Sequence, residues 1–258
     1  MDLIASVKNN KGIRFAELLL RQEAILERSV GWSALEFEGS KVVEVGCGPL
    51  AGFGPMAIFR GARSFESAEP VWDMELFRSE DIVHRYLFTL HADLCALYGQ
   101  RMNFREFCEA LGEKITVHAT GFELAPISGT ADIVLSQSCL EHVFALKETV
   151  SRLSELQGPQ TRFIHLVDFG NHYITPSPFD GLYEEPPEAY IARRGNAINM
   201  LRVSDVEGLF SEASVSAVTV PTRVVGDTYE GTIHPWWRER YDDEALFTQH
   251  ALVVSRSP

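Results

Sequence analysis

The chain has 258 residues, 45% hydrophobic and 23% charged, which is enough apolar material for a globular protein with a sizeable core. A formal net charge of −13 argues against a general binder of nucleic acid or of anionic membrane surfaces. Apolar runs fall short of the roughly 18–20 residues of a membrane span, and Cys47, Cys95, Cys108 and Cys139 show no CxxC pairing, so free thiols and a cytoplasmic location are expected.

Read in order, residues 12–30 carry apolar side chains at helical spacing and predict an N-terminal helix stopped by Gly31. The β-branched run Lys41–Val45 predicts a buried strand that ends at Gly46-Cys47-Gly48, and Pro55–Phe59 begins a helix. Glycine suits such a turn because the backbone can take tight angles there and approach a ligand. A second strand, Ser64–Ala68, is closed by Glu69-Pro70. Along 72–111, Val83, Tyr86, Leu87, Leu90, Leu94 and Leu97 share one face, which predicts a helical cap insertion. Strands are expected again at Lys114–Ala119 and Ala131–Ser136. Ser138 and Glu141 form an S-x-x-E pattern that predicts a capping box and a helix from Cys139 to Leu156.

Arg162–Val167 reads as a fifth strand, and the irregular stretch 169–200 as a second cap insertion. Ser204 and Glu207 suggest another capping box, for a helix ending near Glu212. Val215–Val225 and Phe247–Arg256 are strand-like and suited to pair antiparallel. This alternation predicts an α/β fold: a Rossmann-like, mostly parallel seven-stranded sheet with an antiparallel last strand, helices on both faces and a helical cap, in a single domain over 1–258.

In open parallel sheets ligands settle at the carboxyl ends of the strands. Gly46–Gly48, Glu69, Thr120–Glu123 and Ser136–Ser138 occupy such ends. Glu69 follows Gly46 at about the 20-residue distance of a carboxylate that grips ribose hydroxyls; a solvated loop acid is the alternative. Gly46-x-Gly48-x-x-Ala51 also fits a dinucleotide fingerprint, which keeps an NAD(P)-dependent oxidoreductase open, although no Tyr-x-x-x-Lys pair follows. A catalytically inert cofactor-binding protein is the third class.

The run VVEVGCGPLAGFG, the acid at Glu69, and ADIVLSQSCLEHV at 131–143 together resemble a class I S-adenosylmethionine-dependent methyltransferase. The family's first motif is matched by Glu44-Val45-Gly46-Cys47-Gly48, with Leu50 where a third glycine is usual. Its fourth-strand motif is matched by Asp132-Ile133-Val134-Leu135 and Leu140-Glu141-His142-Val143. The resemblance implies S-adenosyl-L-methionine as cofactor, touched by Glu44, Gly46, Cys47, Gly48, Glu69, Gly121, Phe122, Ser136 and Gln137; Phe122 would pack on the adenine ring where an acid is usual. Phe163–Tyr173 and Asn196–Ala213 resemble a type 11-like methyltransferase branch common in glycan and secondary-metabolite gene clusters. That implies a small-molecule acceptor, such as a sugar-like hydroxyl.

A hydroxyl acceptor needs a base, and histidine suits that duty near neutral pH. His165, inside a strand, reads as a core residue. His172, one short turn beyond the strand and oriented by Asp168, is the first candidate, and His142 the second. Glu141 is accounted for by its cap. No oxygen-rich set for a hard cation stands out, so no metal is expected. Tyr86, Tyr98, Tyr173, Tyr183 and Tyr190 are available to the insertions, each more suited singly to packing than to a ring-bearing ligand. Trp236-Trp237 reads equally as a lid or an interface patch. A small-molecule acceptor is the expected partner, with a homodimer as a candidate assembly.

Overall fold

The computed structural model describes Ala24, Arg28 and residues 35–255 apart from 174, 216 and 227. The helix expected over 12–30 therefore lies outside the described residues except at Ala24 and Arg28, both helical.

One seven-stranded sheet runs in the order β3-β2-β1-β4-β5-β7-β6. Its strands are β1 (Lys41–Val45), β2 (Ser64–Ala68), β3 (Ile115–His118), β4 (Ile133–Gln137), β5 (Arg162–Asp168), β6 (Ala217–Val224) and β7 (Thr248–Ser255). β1 pairs in parallel with β2 and β4, and β2 with β3. β7 runs antiparallel to both β5 and β6. The expected antiparallel end is thus present, and β7 is inserted ahead of β6. β1 is buried from Val42 to Val45, as befits a strand covered on both faces. β6 carries Pro221 and a register shift beside it, which an edge strand tolerates because proline cannot donate to a ladder.

By compactness the described residues resolve into two units: residues 35–135 with 155–162, and residues 136–154 with 163–255. In the first, all six residues of the helix Gly54–Phe59 are buried. A Cβ on Gly54 would stand 2.9 Å from the Phe65 ring and 3.1 Å from Ile115, so glycine lets this helix lie close on the sheet. The stretch expected as one amphipathic cap is broken into Met74–Phe77, Glu80–Ile82, a π-helical turn Val83–Leu87 and Phe88–Tyr98. Its last part belongs to a separate helix, Phe104–Lys114, which feeds β3 directly and sets Phe107 edge-on to Phe59 with ring centroids 6.1 Å apart. Asn103 and Glu106 cap that helix reciprocally.

In the second unit, the capping box expected at Ser138 and Glu141 does not form. Ser138 sits at φ +46°, outside the extended region an N-cap needs. A single 3-10 turn, Leu140–His142, precedes a helix that starts only at Leu146 and ends at Glu155. Glu141 is instead buried. The later helix, Val203–Glu212, is capped two residues earlier than expected: the Arg202 N–H donates to Asp205 Oδ2 at 2.7 Å, and the Asp205 N–H returns to the Arg202 carbonyl at 3.0 Å. Within 169–200 a helix, Pro187–Arg194, opens on proline and is followed by Gly195.

A second core forms from Phe179, Leu182, Tyr183, Tyr190, Ile198, Met200, Trp237 and Leu246. Tyr183, Tyr190 and Trp237 are therefore packing residues, which removes the lid and interface readings for Trp237. Arg202, 1% exposed, donates to the Phe169 carbonyl at 2.8 Å and the Tyr183 hydroxyl at 3.0 Å, among the rings of Phe169, Tyr183 and Trp237. It ties the segment after β5 to the start of the helix Val203–Glu212.

Candidate functional site

Two groups of side chains stand at strand ends, one in each unit, and they differ in kind. In the first, β1 ends in a loop whose Gly46, Gly48, Ala51 and Gly52 all take positive φ. Glu44, from within β1, turns its carboxylate under that loop and accepts the Phe53 N–H at 2.9 Å. A Cβ on Gly52 would lie 2.4 Å from Glu44 Oε2, so the loop closes over the acid only because that position has no side chain. Glu44 is 2% exposed, and burial, reinforced by the Glu69 charge, holds its carboxyl well above the usual carboxylate range. Its bond is to the loop from beneath, a loop-shaping place for a residue expected to touch the cofactor.

Glu69 leaves the end of β2 and accepts the Gly48 N–H at 2.8 Å with one oxygen and the Val71 N–H at 3.1 Å with the other. A carboxylate offers about four acceptor sites, so capacity for ribose hydroxyls remains. The Gly46 N–H goes to the Ala68 carbonyl and the Gly54 N–H to that of Ala51. Four amides of the turn, at positions 46, 48, 53 and 54, are thus already engaged inside the protein. Cys47 is buried, and burial together with the charges of Glu44 and Glu69 pushes its thiol far up, so it is no nucleophile.

Two donors near these acids escaped the sequence reading. Tyr86 Oη and Trp72 Nε1 are buried with no hydrogen-bond partner. The Tyr86 hydroxyl is pushed up by burial and by the Glu44 charge, and the Trp72 backbone N–H donates to the Glu69 carbonyl at 3.0 Å. The signal was faint, since both fell within the amphipathic pattern of the expected cap. Gly121 and Phe122 open a 3-10 turn, Phe122–Leu124, with Phe122 5% exposed and the Glu123 carboxylate folded against Gly121.

Ser136 and Gln137 belong to the second unit. Ser136 is buried, with its hydroxyl 2.9 Å from His165 Nδ1. That internal bond occupies the group expected on the cofactor. His165 is fully buried, as the strand position suggested, and burial pushes its pKa down to about 3.

The three expected catalytic residues do come together there. His172 Nε2 lies 3.8 Å from Asp168 Oδ2, and the His142 and His172 rings meet edge-on at 4.9 Å. Two further residues join them. Glu141 Oε1 is 3.9 Å from His172 Nε2, and His250 Nε2, from β7, is 3.4 Å from Asp168 Oδ2. His172 itself sits at φ +58°, a conformation that aims its ring back toward the strand end. Asp168 also accepts the Gly170 N–H at 2.8 Å. Burial pushes its carboxyl up, but the bonds from His250 and Gly170, with the charges of His250 and His172, outweigh it and leave the group below its usual value. Glu141 goes the other way: burial, aided by the Asp168 charge, carries it to about 8.

No protein-family model matches this chain, and no curated protein matches it. Among solved structures, an S-adenosylmethionine-dependent methyltransferase from Mesorhizobium loti aligns with 92% of this chain and 95% of its own at 16% identity and a TM-score of 0.49. The N-methyltransferase NodS from Bradyrhizobium japonicum aligns over 95% and 94%, at 14% identity and a TM-score of 0.42. The YcgJ protein from Bacillus subtilis aligns over 92% and 99%, at 10% identity and a TM-score of 0.47.

Proposed function

We propose that this protein is an S-adenosylmethionine-dependent methyltransferase acting on a small molecule through a hydroxyl. The observation that carries the reading is the engagement of the Gly46, Gly48, Phe53 and Gly54 amides by the protein's own carbonyls and carboxylates. A dinucleotide site keeps such amides for a pyrophosphate. A turn lined by Glu44 and Glu69, with these four amides already engaged, suits a cationic nucleoside and disfavours a diphosphate. This separates the reading from an NAD(P)-dependent oxidoreductase.

When bound, S-adenosylmethionine supplies a methyl carbon made electrophilic by its sulfonium. Glu69 has acceptor capacity for the ribose hydroxyls, and Trp72 Nε1 and Tyr86 Oη are buried donors in need of an acceptor. Glu44 fixes the loop from below. The chain's remaining tasks are to place the acceptor, worth up to about 7–11 kcal/mol, and to take its proton. His172 is the assigned proton acceptor, because its Nε2 lies 3.8 Å from the Asp168 carboxylate, which orients the ring. His142 packs against its ring and limits its rotation. The binding experiment is thermal unfolding of the full chain with S-adenosylmethionine and, separately, with NAD(H). Stabilisation should grow with the logarithm of S-adenosylmethionine concentration. A shift with NAD(H) alone would reverse the assignment, and binding without turnover on any hydroxylated acceptor would make the protein an inert binder.

A further inference from the structure

Glu141, His142 and His172 present one ligand atom each within 4.8 Å of one another. They come from the 3-10 turn after β4 and from the segment after β5, all within the second unit. Glu141 is 4% exposed, and its Oε2 is buried with no hydrogen-bond partner. A carboxylate oxygen withdrawn from water and left unbonded is costly; a cation supplies what it lacks.

The neighbouring contacts prepare the imidazoles for the same role. His142 Nδ1 lies 2.6 Å from the Ala197 carbonyl. That bond places the proton on Nδ1 and leaves the Nε2 lone pair free, the arrangement by which outer hydrogen bonds orient metal-bound histidines. Asn199 donates to the Leu140 and Val143 carbonyls at 2.8 and 2.9 Å, bracketing the turn that carries Glu141 and His142. Ligand atoms of a tetrahedral zinc site stand about 3.3 Å apart, given metal–ligand distances of about 2.0–2.1 Å. Closing the 3.9 Å between Glu141 and His172 to that spacing requires a shift of under 1 Å.

We infer that Glu141, His142 and His172 bind one divalent first-row transition ion. Two imidazoles and one carboxylate favour zinc, manganese or iron over magnesium, which prefers an all-oxygen shell. Three protein ligands leave a position open for an oxygen of the acceptor, whose proton such an ion acidifies. The inference deepens the methyltransferase reading and rests on it for the acceptor: with the ion bound, His172 is a ligand, and the acceptor's proton passes to the Asp168 carboxylate beside it, which is paired with His250, as the methyl carbon leaves the sulfonium for the acceptor oxygen.

The test separates the two claims. The full chain, stripped with a chelator, is titrated by calorimetry with Zn2+, Mn2+ and Mg2+ in the absence of S-adenosylmethionine. One equivalent of Zn2+ or Mn2+ should bind, with Mg2+ much weaker. Loss of an outer partner costs metal sites about 10–100-fold in affinity. His142→Ala and Glu141→Gln should therefore each cost more than about 100-fold, with the thermal shift produced by S-adenosylmethionine retained as the sign of intact folding. Co2+ gives a second readout: nitrogen–oxygen ligand-field bands lost in both variants are expected. A thiolate charge-transfer band, unchanged affinity in both variants, or no binding by the wild-type chain would overturn the metal site while leaving methyl transfer to stand on its own experiment.

Discussion

The two strand-end groups are built in opposite ways. The turn after β1 draws its parts mainly from the short span 44–72, and its two acids are bonded within the chain: Glu44 on Phe53, Glu69 on Gly48 and Val71. The histidine group gathers Glu141, His142, Asp168, His172 and His250 from four separate stretches of the second unit. It leaves one Glu141 oxygen unbonded and holds His172 at positive φ. A locally encoded loop whose acids are already bonded behaves as a preformed cradle. A group that gathers titratable side chains from distant stretches, with a carboxyl oxygen left unbonded, is where chemistry is expected, since such features persist only where surrounding structure over-determines them.

The largest expected effect comes from the second group. His172→Ala should lower turnover by about 10²–10⁴, the usual contribution of a positioned acid–base group, while the stabilisation by S-adenosylmethionine stays as in the wild type. Kinetics beside thermal shifts decide this, and unchanged turnover would show that the comparison assigns chemistry to the wrong group.

Next is Gly52→Ala in the cradle. The new Cβ would meet Glu44 Oε2 at 2.4 Å from a backbone at φ +46°. The left-handed conformation alone costs a non-glycine residue about 1–2 kcal/mol, and the clash displaces the acid that holds the loop. A lower melting temperature and a weakened response to S-adenosylmethionine are expected together. A variant that keeps both would mean that Glu44 is not what shapes the loop.

The last effect, seen only in acid, concerns His165, outside both groups. Its pKa falls from 6.5 to about 3 on burial, so between those values the unfolded chain binds a proton that the folded chain does not. Stability is unaffected by this group above 6.5 and declines as pH drops toward 3, with a slope of up to about 1.4 kcal/mol per pH unit. Denaturant unfolding of wild type and His165→Leu across pH 7 to 4 should show a shallower acid decline in the variant. Parallel curves would place the charge elsewhere.

Much of the frame was legible in the sequence. All seven strands fall where β-branched runs and turn residues put them; central ones such as β1 are buried and must be continuously apolar, while β6 at the edge is marked by its β-branched residues and bounding turns. The placement of Gly46, Gly48 and Glu69 at strand ends was legible too, since a loop and the next strand end are enough to specify it. Misreadings arose where a local pattern competed with tertiary burial. Ser138 and Glu141 match a capping box, yet Ser138 turns left-handed and Glu141 is drawn inward. Ser136, expected on the cofactor, also bonds His165 of the neighbouring strand, a contact that no local pattern records.

The sequence by itself determined the order of strands and helices, the antiparallel end and the glycine turn, because periodicity and turn chemistry act over a few residues. Only the tertiary structure decided that Glu44 closes the turn from below, that Trp72 and Tyr86 keep unpaired donors, and that Glu141 joins three histidines and Asp168. Those outcomes depend on which distant side chains share a desolvated space, and no spacing along the chain records the dielectric around a carboxylate.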